Sequence, residues 1–301
     1  MSRWNIVVGA SSFARVSDAP IRLLREHGAE VRLNPYGRKL SREETIEFLR
    51  DADGILAGLE PLDREVLSTC RRKLKAIARI GIGMDNVDIQ AAQEFGIRVS
   101  NTPDGPTQAV AELTVTALLT LCRQLIPSSA ALHARQWKKL MGVSVMGMKV
   151  LLIGYGRIGQ AVASSLRNLG AEILVWDPAR SDISVSSMEE GLRQAGAVSL
   201  HASGTRQILG KQELALLPDG AFLLNSARGG LVDEDALCQE LTSGRLGGCW
   251  LDAFSNEPYT GPLCDCPGAL LTPHVSTYTT RCRETMETEA VHNLLRDIHA
   301  L

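Results

Sequence analysis

Short runs of apolar residues alternate with longer amphipathic stretches over the first hundred residues. The runs predict strands at Asn5–Gly9, Glu30–Leu33, Asp53–Ala57, Lys75–Ile80 and Ile97–Ser100. The stretches between them predict helices at 18–27, from Ser41, at 63–70 and near 87–95. Ser41 and Glu44 have the spacing of a capping box. Because strands that alternate with helices form parallel sheets, we expect a small, doubly wound α/β domain here.

A second α/β series is predicted from Lys149 to about Pro273. Its strands are expected near Val150, Ile173, Val198, Ala221, Gly248 and Leu270. Between the two series, a helix is predicted from about Gln108 to Leu125. It has no charge between Leu113 and Leu121, which predicts burial over most of its surface. A last helix, from about Thr279 to Ala300, has one apolar face that comprises Met286, Ala290, Leu294 and Ile298.

Composition and charge exclude several classes of protein. The chain is 45% hydrophobic and 22% charged, which favours a packed core over disorder. A net charge of −2 without a basic block argues against nucleic-acid and membrane surfaces. No apolar run has the length of a membrane span or a signal peptide, so we expect a cytoplasmic protein.

The seven cysteines are scattered and odd in number, which indicates reduced thiols and not a disulfide framework. Cys264 and Cys266 form a lone Cys-x-Cys pair. Without a second pair at ligand spacing, this pair favours a surface loop, and no metal site is expected.

A glycine motif opens the second series. Gly154, Gly156 and Gly159 form G-x-G-x-x-G between a predicted strand and a predicted helix. Such glycines allow a tight turn, the approach of a pyrophosphate, and close packing of helix on strand. Asp177 ends the next strand, where a carboxylate binds ribose hydroxyls and repels a 2′-phosphate. The motif therefore predicts NAD, and Arg180 leaves NADP as the less favoured alternative.

Three polar residues follow strands predicted near the end of the second series: Arg228, Glu257 and His274. Ligands of open α/β sheets bind beyond the carboxyl ends of the strands. A guanidinium binds a carboxylate in a bidentate manner, and a histidine beside a carboxylate exchanges protons near neutral pH. Each residue alone has an ordinary structural explanation, but their joint placement predicts an acid–base site.

Six segments follow one another along nearly the whole chain: LKAIARIGIGMDNVDIQAA, VSNTPDGPTQAVAEL, LLIGYGRIGQAVA, NSARGGLVDEDAL, LDAFSNEP and TPHVS. In this order they resemble the D-isomer-specific 2-hydroxyacid dehydrogenases, the phosphoglycerate-dehydrogenase-like group in particular. The resemblance implies a Rossmann NAD-binding domain of residues 102–274. It would be inserted into a flavodoxin-like substrate domain of residues 1–101 and 275–301. A homodimer is also implied, with the apolar segment Leu118 to Trp137 as the candidate contact and a buried helix as the alternative.

The resemblance also implies the roles of individual residues. Catalysis falls on Arg228, Glu257 and the acid/base His274. The cofactor-binding residues, including those of the glycine motif, are Gly154, Gly156, Arg157, Ile158, Gly159, Asp177, Thr107, His201, Ala227 and Asp252. The substrate carboxylate falls on the backbone of Gly81, Ile82 and Gly83, together with Arg228. The implied reaction interconverts a D-2-hydroxy acid and its 2-oxo acid by hydride transfer to or from NAD.

Three stretches differ from the family pattern. Tyr278 is bulky where small residues are usual, and the loop at 201–209 is shorter than its usual form. The segment Ala57–Pro61 lacks the basic and hydroxyl residues that grip a phosphate. Two other functions stay open: an NAD(H)-sensing binding protein of the same fold, and a dehydrogenase of another donor such as phosphite. Turnover of a 2-oxo acid separates these from the first hypothesis.

Overall fold

The computed structural model describes residues 4–180 and 184–299. The chain forms two compact units, each built around one parallel sheet. The first unit comprises Met1–Pro106 and Thr277–Leu301, and the second comprises Thr107–Ser276. The prediction of two parallel-sheet α/β domains is therefore confirmed.

The described residues of the first unit form a sheet of five parallel strands. These strands are β1 (Trp4–Val8), β2 (Ala29–Leu33), β3 (Gly54–Ala57), β4 (Ala76–Arg79) and β5 (Arg98–Asn101). The connecting helices are α1 (Ala19–Glu26), α2 (Arg42–Leu49), α3 (Arg64–Cys70) and α4 (Ile89–Glu94). The strand order is β2-β1-β3-β4-β5, so the chain reverses its direction across the sheet between β1 and β3.

Polar side chains fix the starts of these helices. The capping box predicted at α2 is present, because Ser41 Oγ accepts a hydrogen bond from Glu44 N at 3.2 Å and Ser41 N donates to Glu44 Oε2 at 2.8 Å. Asp63 and Asp88 cap α3 and α4 in a similar way. Each cap satisfies an N–H group that the first helical turn leaves without a partner.

The described residues of the second unit form six parallel strands. These strands are β6 (Lys149–Ile153), β7 (Glu172–Trp176), β8 (Ala197–Leu200), β9 (Phe222–Asn225), β10 (Gly248–Leu251) and β11 (Ala269–Leu271), in the order β11-β10-β9-β8-β6-β7. The helices are α5 (Pro106–Cys122), α6 (Leu125–His133), α7 (Arg157–Asn168), α8 (Met188–Gln194), α9 (Lys211–Leu214) and α10 (Glu234–Thr242). Two short 3-10 helices lie at Gly229–Leu231 and Pro262–Asp265.

The central strands of this sheet are buried on both faces. Every residue of β8, β9 and β10 is buried, and their sequences are correspondingly almost all apolar. One face packs on helices such as α7 and the other on helices such as α8 and α10. The strand ends are therefore held by a packed core, and the loops that follow them start from fixed positions.

The helix predicted between the two series is present as α5, within three residues of its predicted ends, but it is less buried than predicted. Gln124 has a left-handed backbone (φ 53°), and the chain bends there by 60° between α5 and α6. Helix α5 buries one side only, and every residue of α6 is at least partly exposed. Over the described residues, no single helix has the length and apolar character to cross a membrane, although α5 and α6 together meet that criterion as a bent pair.

The cysteines also depart from expectation. Cys238 of α10 and Cys266, directly after the 3-10 helix Pro262–Asp265, form a disulfide, so the prediction of seven reduced thiols is wrong for this pair. The other five cysteines are free. The two cysteines are 28 residues apart in the sequence, and α10 lies against this 3-10 helix only in the fold. The sequence therefore does not indicate the pairing. Within the described ranges, no group of three or more His, Cys, Asp or Glu residues is arranged to hold a metal ion.

The last helix, α11 (Thr280–His299), packs on the sheet of the first unit. All four residues of the predicted apolar face are buried, so that prediction is confirmed. The helix and the sheet lie close together at Gly54 of β3, where an added Cβ would lie 2.8 Å from Ile298 Cδ1 and 3.1 Å from Leu294 Cδ1. A glycine at this position lets the helix lie directly on the strand.

We expect Leu294→Ala to lower the free energy of unfolding by roughly 2–5 kcal/mol, because it opens a cavity between α11 and β3. Urea denaturation followed by circular dichroism measures the change. His292→Ala, on the exposed face of the same helix, is the control and should change the value by less than about 0.5 kcal/mol. Equal losses in the two variants would contradict this packing.

Candidate active site

All six strands of the second unit end at one edge of the sheet, because they are parallel. Each is followed there by a predicted site residue: Gly154 after β6, Asp177 after β7, His201 after β8, Arg228 after β9, Glu257 after β10 and His274 after β11. In the sheet, the strands of the first three residues (β8, β6 and β7) are neighbours at one side. The strands of the last three residues (β11, β10 and β9) are neighbours at the other side. The edge thus has a predicted cofactor half and a predicted catalytic half.

The glycine turn has the tight geometry that its sequence predicts. Gly154 adopts φ 93°, and a Cβ there would lie 2.7 Å from Ala202 N, so the turn packs on the segment after β8. A Cβ at Gly159 would overlap the carbonyl oxygen of Gly154. Gly156 is the N-cap of α7, and a Cβ there would meet no described atom within 4 Å. The start of α7 therefore has open space beside Gly156, which leaves room for a dinucleotide pyrophosphate.

Asp177 lies beside this turn. Its Oδ2 accepts a hydrogen bond from Tyr155 N at 2.8 Å, and its Oδ1 accepts one from Ala179 N at 2.9 Å. Arg180 packs its guanidinium 5.3 Å from the centre of the Tyr155 ring and donates to Tyr155 O at 3.3 Å. Asp177, which is predicted to select NAD, and Arg180, which could bind the 2′-phosphate of NADP, therefore both contact Tyr155 near the start of α7.

The other predicted cofactor residues are less constrained. Arg157 is exposed and Ile158 half-buried in the first turn of α7. His201 Nε2 is hydrogen-bonded to Ser199 Oγ at 2.9 Å, and burial lowers the pKa of His201 to about 4, so the ring is neutral at physiological pH. Ala227 N donates to Asn225 Oδ1 at 3.0 Å. Thr107 is half-buried in the first turn of α5, and its role stays a prediction.

His274 and Glu257 form the central pair of the catalytic half. His274 Nδ1 lies 3.0 Å from both Glu257 Oε1 and Glu257 Oε2. The pKa of His274 is raised, chiefly by this hydrogen bond and then by the charges of Glu257 and Asp252, against the opposing effects of burial and of Arg228. Because Nδ1 faces Glu257, Nε2 is the ring nitrogen available for proton exchange.

Asp252 holds the segment that carries His274. This carboxylate is 1% exposed, and it accepts hydrogen bonds from Thr272 Oγ1 at 2.6 Å, Val275 N at 2.8 Å, Ser276 N at 2.9 Å and Ser276 Oγ. Its predicted cofactor contact stays a prediction, whereas its positioning role is visible. Sequence reasoning missed Thr272 and Ser276, and the available signal was a hydroxyl residue two positions to either side of the histidine.

Close backbone packing joins the Arg228 loop to the Glu257 loop. A Cβ at Gly229 would overlap the backbone of Phe254, so only glycine fits next to Arg228. Asn225 Nδ2 donates to Arg228 O at 2.8 Å, and Ser255 N donates to Glu234 Oε1 at 2.8 Å. Sequence reasoning also missed Asn225 and Glu234. The catalytic half is thus fixed by backbone contacts and buried polar side chains as well as by the strands.

In the first unit, the turn Gly81–Gly83 follows β4. Gly81 N donates to Thr102 Oγ1 at 2.7 Å, and Gly81 O accepts from Thr102 N at 3.2 Å. Because the Gly81 amide already has this partner, the predicted carboxylate site narrows to the N–H groups of Ile82 and Gly83. Tyr278, the bulky departure from the family pattern, is exposed and stacks on Arg283 at 5.3 Å.

Comparisons with known proteins identify the family of the chain. Residues 115–276 match the family model described as "D-isomer specific 2-hydroxyacid dehydrogenase, NAD binding domain". The chain is 35% identical to the glyoxylate reductase of Thermococcus gammatolerans, over 91% of this chain and 88% of that protein. It is 31% identical to the hydroxypyruvate reductase of Thermotoga maritima, over 86% and 89%. The crystal structure of a glyoxylate reductase from Paecilomyes thermophila matches with a TM-score of 0.87 and 30% identity, over 99% and 96%.

We expect Glu257→Gln to lower the pKa of His274, because the variant removes the charged hydrogen-bond partner and leaves the burial in place. The measurement is an NMR titration of the histidine ring protons, with the His274 signal assigned through His274→Ala. Glu94→Gln, a surface change in the first unit, should leave this pKa as it is. An unchanged His274 pKa in Glu257→Gln would contradict the pairing.

Proposed function

Because the chain belongs to the D-isomer specific 2-hydroxyacid dehydrogenases, NAD-dependent enzymes that interconvert a 2-hydroxy acid and its 2-oxo acid, we propose that Arg228, Glu257 and His274 carry out this reaction. The observation that supports the proposal most directly is the His274–Glu257 pair at 3.0 Å. His274 and Glu257 follow the adjacent strands β11 and β10, and Arg228 follows β9, the next strand in the sheet. This chemistry needs a proton donor and an anion-binding group. His274 of the pair can donate the proton, and the guanidinium of Arg228 can bind the anion.

In the direction of reduction, Arg228 binds the carboxylate and the carbonyl oxygen of the 2-oxo acid. NADH, when bound, would supply the hydride that C2 accepts. His274 gives the proton on Nε2 to the oxygen at C2 as negative charge develops there, and Glu257 stabilises the imidazolium before the transfer. In oxidation, neutral His274 takes this proton back. Reduction therefore falls as the pH rises through the raised pKa of His274, whereas oxidation rises over the same range.

We further propose how this chain's residues hold the cofactor and the substrate. The N–H groups at Gly156, Arg157 and Ile158 bind the pyrophosphate, and Asp177 binds the adenosine ribose and favours NAD. The N–H groups of Ile82 and Gly83 bind the substrate carboxylate. Residues 102–274 are assigned as the NAD-binding domain, and residues 1–101 with 275–301 as the substrate domain.

The substrate class that we favour is a small 2-oxo acid. The two relatives reported above are named for glyoxylate and hydroxypyruvate, which are both small and lack a phosphate. We also assign the enzyme to the cytoplasm. The five free cysteines favour this assignment, since thiols persist in a reducing compartment, whereas the Cys238–Cys266 disulfide opposes it.

The test is NADH oxidation by the purified protein with glyoxylate, hydroxypyruvate, pyruvate, phenylpyruvate, 3-phosphohydroxypyruvate and sulfopyruvate. We expect turnover of at least one acid, and a kcat at least about a hundredfold lower in His274→Ala because the acid/base is lost. His292→Ala is the matched control and should keep its activity. NADPH replaces NADH in a parallel series and should be the poorer cofactor.

Two results would contradict the proposal. Full activity in His274→Ala would show that this histidine takes no part in the reaction. Tight NADH binding without turnover of any acid would favour a sensing role, or a donor outside the 2-hydroxy acids.

We propose a homodimer whose contact includes the segment Leu118–Trp137. Helix α6 exposes Leu125, Ile126 and Leu132, and Trp137 beyond it is 82% exposed. An apolar surface of this kind is unusual on a monomer, and pairing with a second copy by twofold symmetry covers it on both chains. The alternative of a buried helix applies to the end of α5, where Leu118 and Cys122 are buried, but α6 has no buried residue.

We expect Ile126→Glu combined with Leu132→Glu to convert the dimer to a monomer, because two carboxylates on each chain would have to be buried without partners. Light scattering after size-exclusion chromatography gives the mass. Leu169→Glu, which changes a half-exposed leucine elsewhere in the second unit, should leave the mass unchanged. A monomeric wild-type protein at micromolar concentration would contradict the proposal.

A further inference from the structure

One buried carboxylate of the first unit has no part in the chemistry described above. Glu60 follows β3 and is 1% exposed. Gly58 N donates to Glu60 Oε1 at 2.9 Å and to Glu60 Oε2 at 3.1 Å. On the other side, a Cβ at Gly9, the residue after β1, would overlap Glu60 Oε1. The carboxylate therefore lies between the carboxyl ends of β1 and β3, against two glycines.

This location is the point at which the strand order of the sheet reverses. Ligands of open α/β sheets bind outside the carboxyl ends of the strands at such a point, and for this strand order it lies between β1 and β3. Backbone N–H groups at such a turn form a place for an anion. Here the N–H of Gly58 already has the carboxylate of Glu60 as its acceptor. The Gly58 N–H is therefore not available to an anionic group of a ligand, and the carboxylate of Glu60 would repel that group.

The position of Glu60 is fixed relative to the turn proposed to bind the substrate carboxylate. Asn86 Nδ2 donates to Glu60 O at 2.7 Å and to Gly58 O at 3.2 Å. Asn86 lies three residues after Gly83, so it ties the loop after β3 to the loop after β4. The bridge between Leu62 and Val87 joins the same two segments.

The charges along this edge differ in sign. The guanidinium of Arg79 lies next to Gly81, where an added Cβ would overlap it, so a cation supports the turn that offers N–H groups to a carboxylate. Glu60 puts a carboxylate at the neighbouring strand ends, and both of its oxygens accept from Gly58 N, as an ionised group does. Burial raises the pKa of Glu60, against the hydrogen bonds from backbone N–H groups and the charges of Arg79 and Lys39, which favour the anion. Leu59 and Ile82, which are 46% and 36% exposed, add apolar surface to the two loops.

We propose that Glu60 is a specificity-determining residue that excludes 2-oxo acids with a second anionic group. The substrates would then be 2-oxo acids whose only charge is the carboxylate at C1, with a hydrogen, a hydroxymethyl or an apolar group beyond C2. A phosphate, sulfonate or second carboxylate at C3 would face the buried charge of Glu60, and such a repulsion is weakly screened. The inference rests on the proposed function, since it assigns the substrate class of the same reaction.

The first test needs no variant. Sulfopyruvate and 4,4-dimethyl-2-oxopentanoate have the same shape beyond C3, but the first carries a sulfonate and the second an uncharged tert-butyl group. We expect kcat/KM of the wild-type enzyme to be at least about tenfold higher for the uncharged acid, because the two differ chiefly in charge. Equal values for the two acids would overturn the proposal.

The second test changes the charge of Glu60 at constant shape. In Glu60→Gln the ratio of kcat/KM for the two acids should shift by at least about tenfold towards sulfopyruvate, while kcat/KM for hydroxypyruvate changes by less than about threefold. Glu60→Asp keeps the charge and should keep the preference. Glu26→Gln is the control, since the exposed Glu26 ends α1 at the opposite edge of the sheet, shortly before β2 begins. A residue that only shaped the loop would lower kcat/KM for all the acids together, and that result would overturn the proposal.

A third measurement separates this inference from the proposed function. Calorimetry in the presence of NAD gives the affinities for sulfolactate and 2-hydroxy-4,4-dimethylpentanoate, and the same preference and the same shift in Glu60→Gln are expected. If no 2-oxo acid is turned over, the proposed function fails, and the ratio of affinities still decides the role of Glu60. If hydroxypyruvate is reduced but the preference for the uncharged acid is missing, the inference fails and the proposed function stands.

Discussion

The parallel alignment of six strands is the constraint on which the second unit depends. Hydrogen bonding between parallel neighbours forces every strand to end at the same edge, so six loops that are distant in sequence begin side by side. Helices cover both faces of the sheet, and the central strands are consequently apolar along their whole length. Polar chemistry is thereby confined to the residues that follow the strands. The glycine turn, Asp177, Arg228, Glu257 and His274 all occupy such positions.

Strand ends alone do not fix a proton donor to a fraction of an ångström. The chain achieves this with a buried carboxylate: Asp252 accepts hydrogen bonds from the residues on both sides of His274. Glu257 then orients the ring through Nδ1, and its charge offsets the effect of burial on the pKa of His274. Asp252 is satisfied by neutral donors, and Glu257 by the group that it activates. These two acids are five residues apart and have different contacts. Asp252 binds the backbone around His274, and Glu257 binds the ring of His274.

Local patterns predicted most of this architecture. The capping box at Ser41, the apolar face of α11 and the order of eleven strands follow from residue spacing over a few turns or alternations. The family of the enzyme and its use of NAD were predicted from motifs. The left-handed backbone at Gln124 was not, because Arg123 and Gln124 are ordinary helix-forming residues and no glycine marks the break. The Cys238–Cys266 disulfide and the hydrogen bonds of Asp252 join residues about twenty or more positions apart, where periodicity has no information.

Glu257 and Glu60 show how location decides the role of a carboxylate. Each follows a strand of a parallel sheet, and each lies against backbone N–H groups. Glu257 is one-third exposed and faces a histidine, so its charge favours the proton on the His274 ring. Glu60 is enclosed by Gly9, Gly58 and the loop held by Asn86, so its carboxylate is fixed between two strand ends. In the two roles that we propose, the carboxyl edge of a sheet supplies catalysis in one unit and selectivity in the other with the same side chain, and burial distinguishes the two uses.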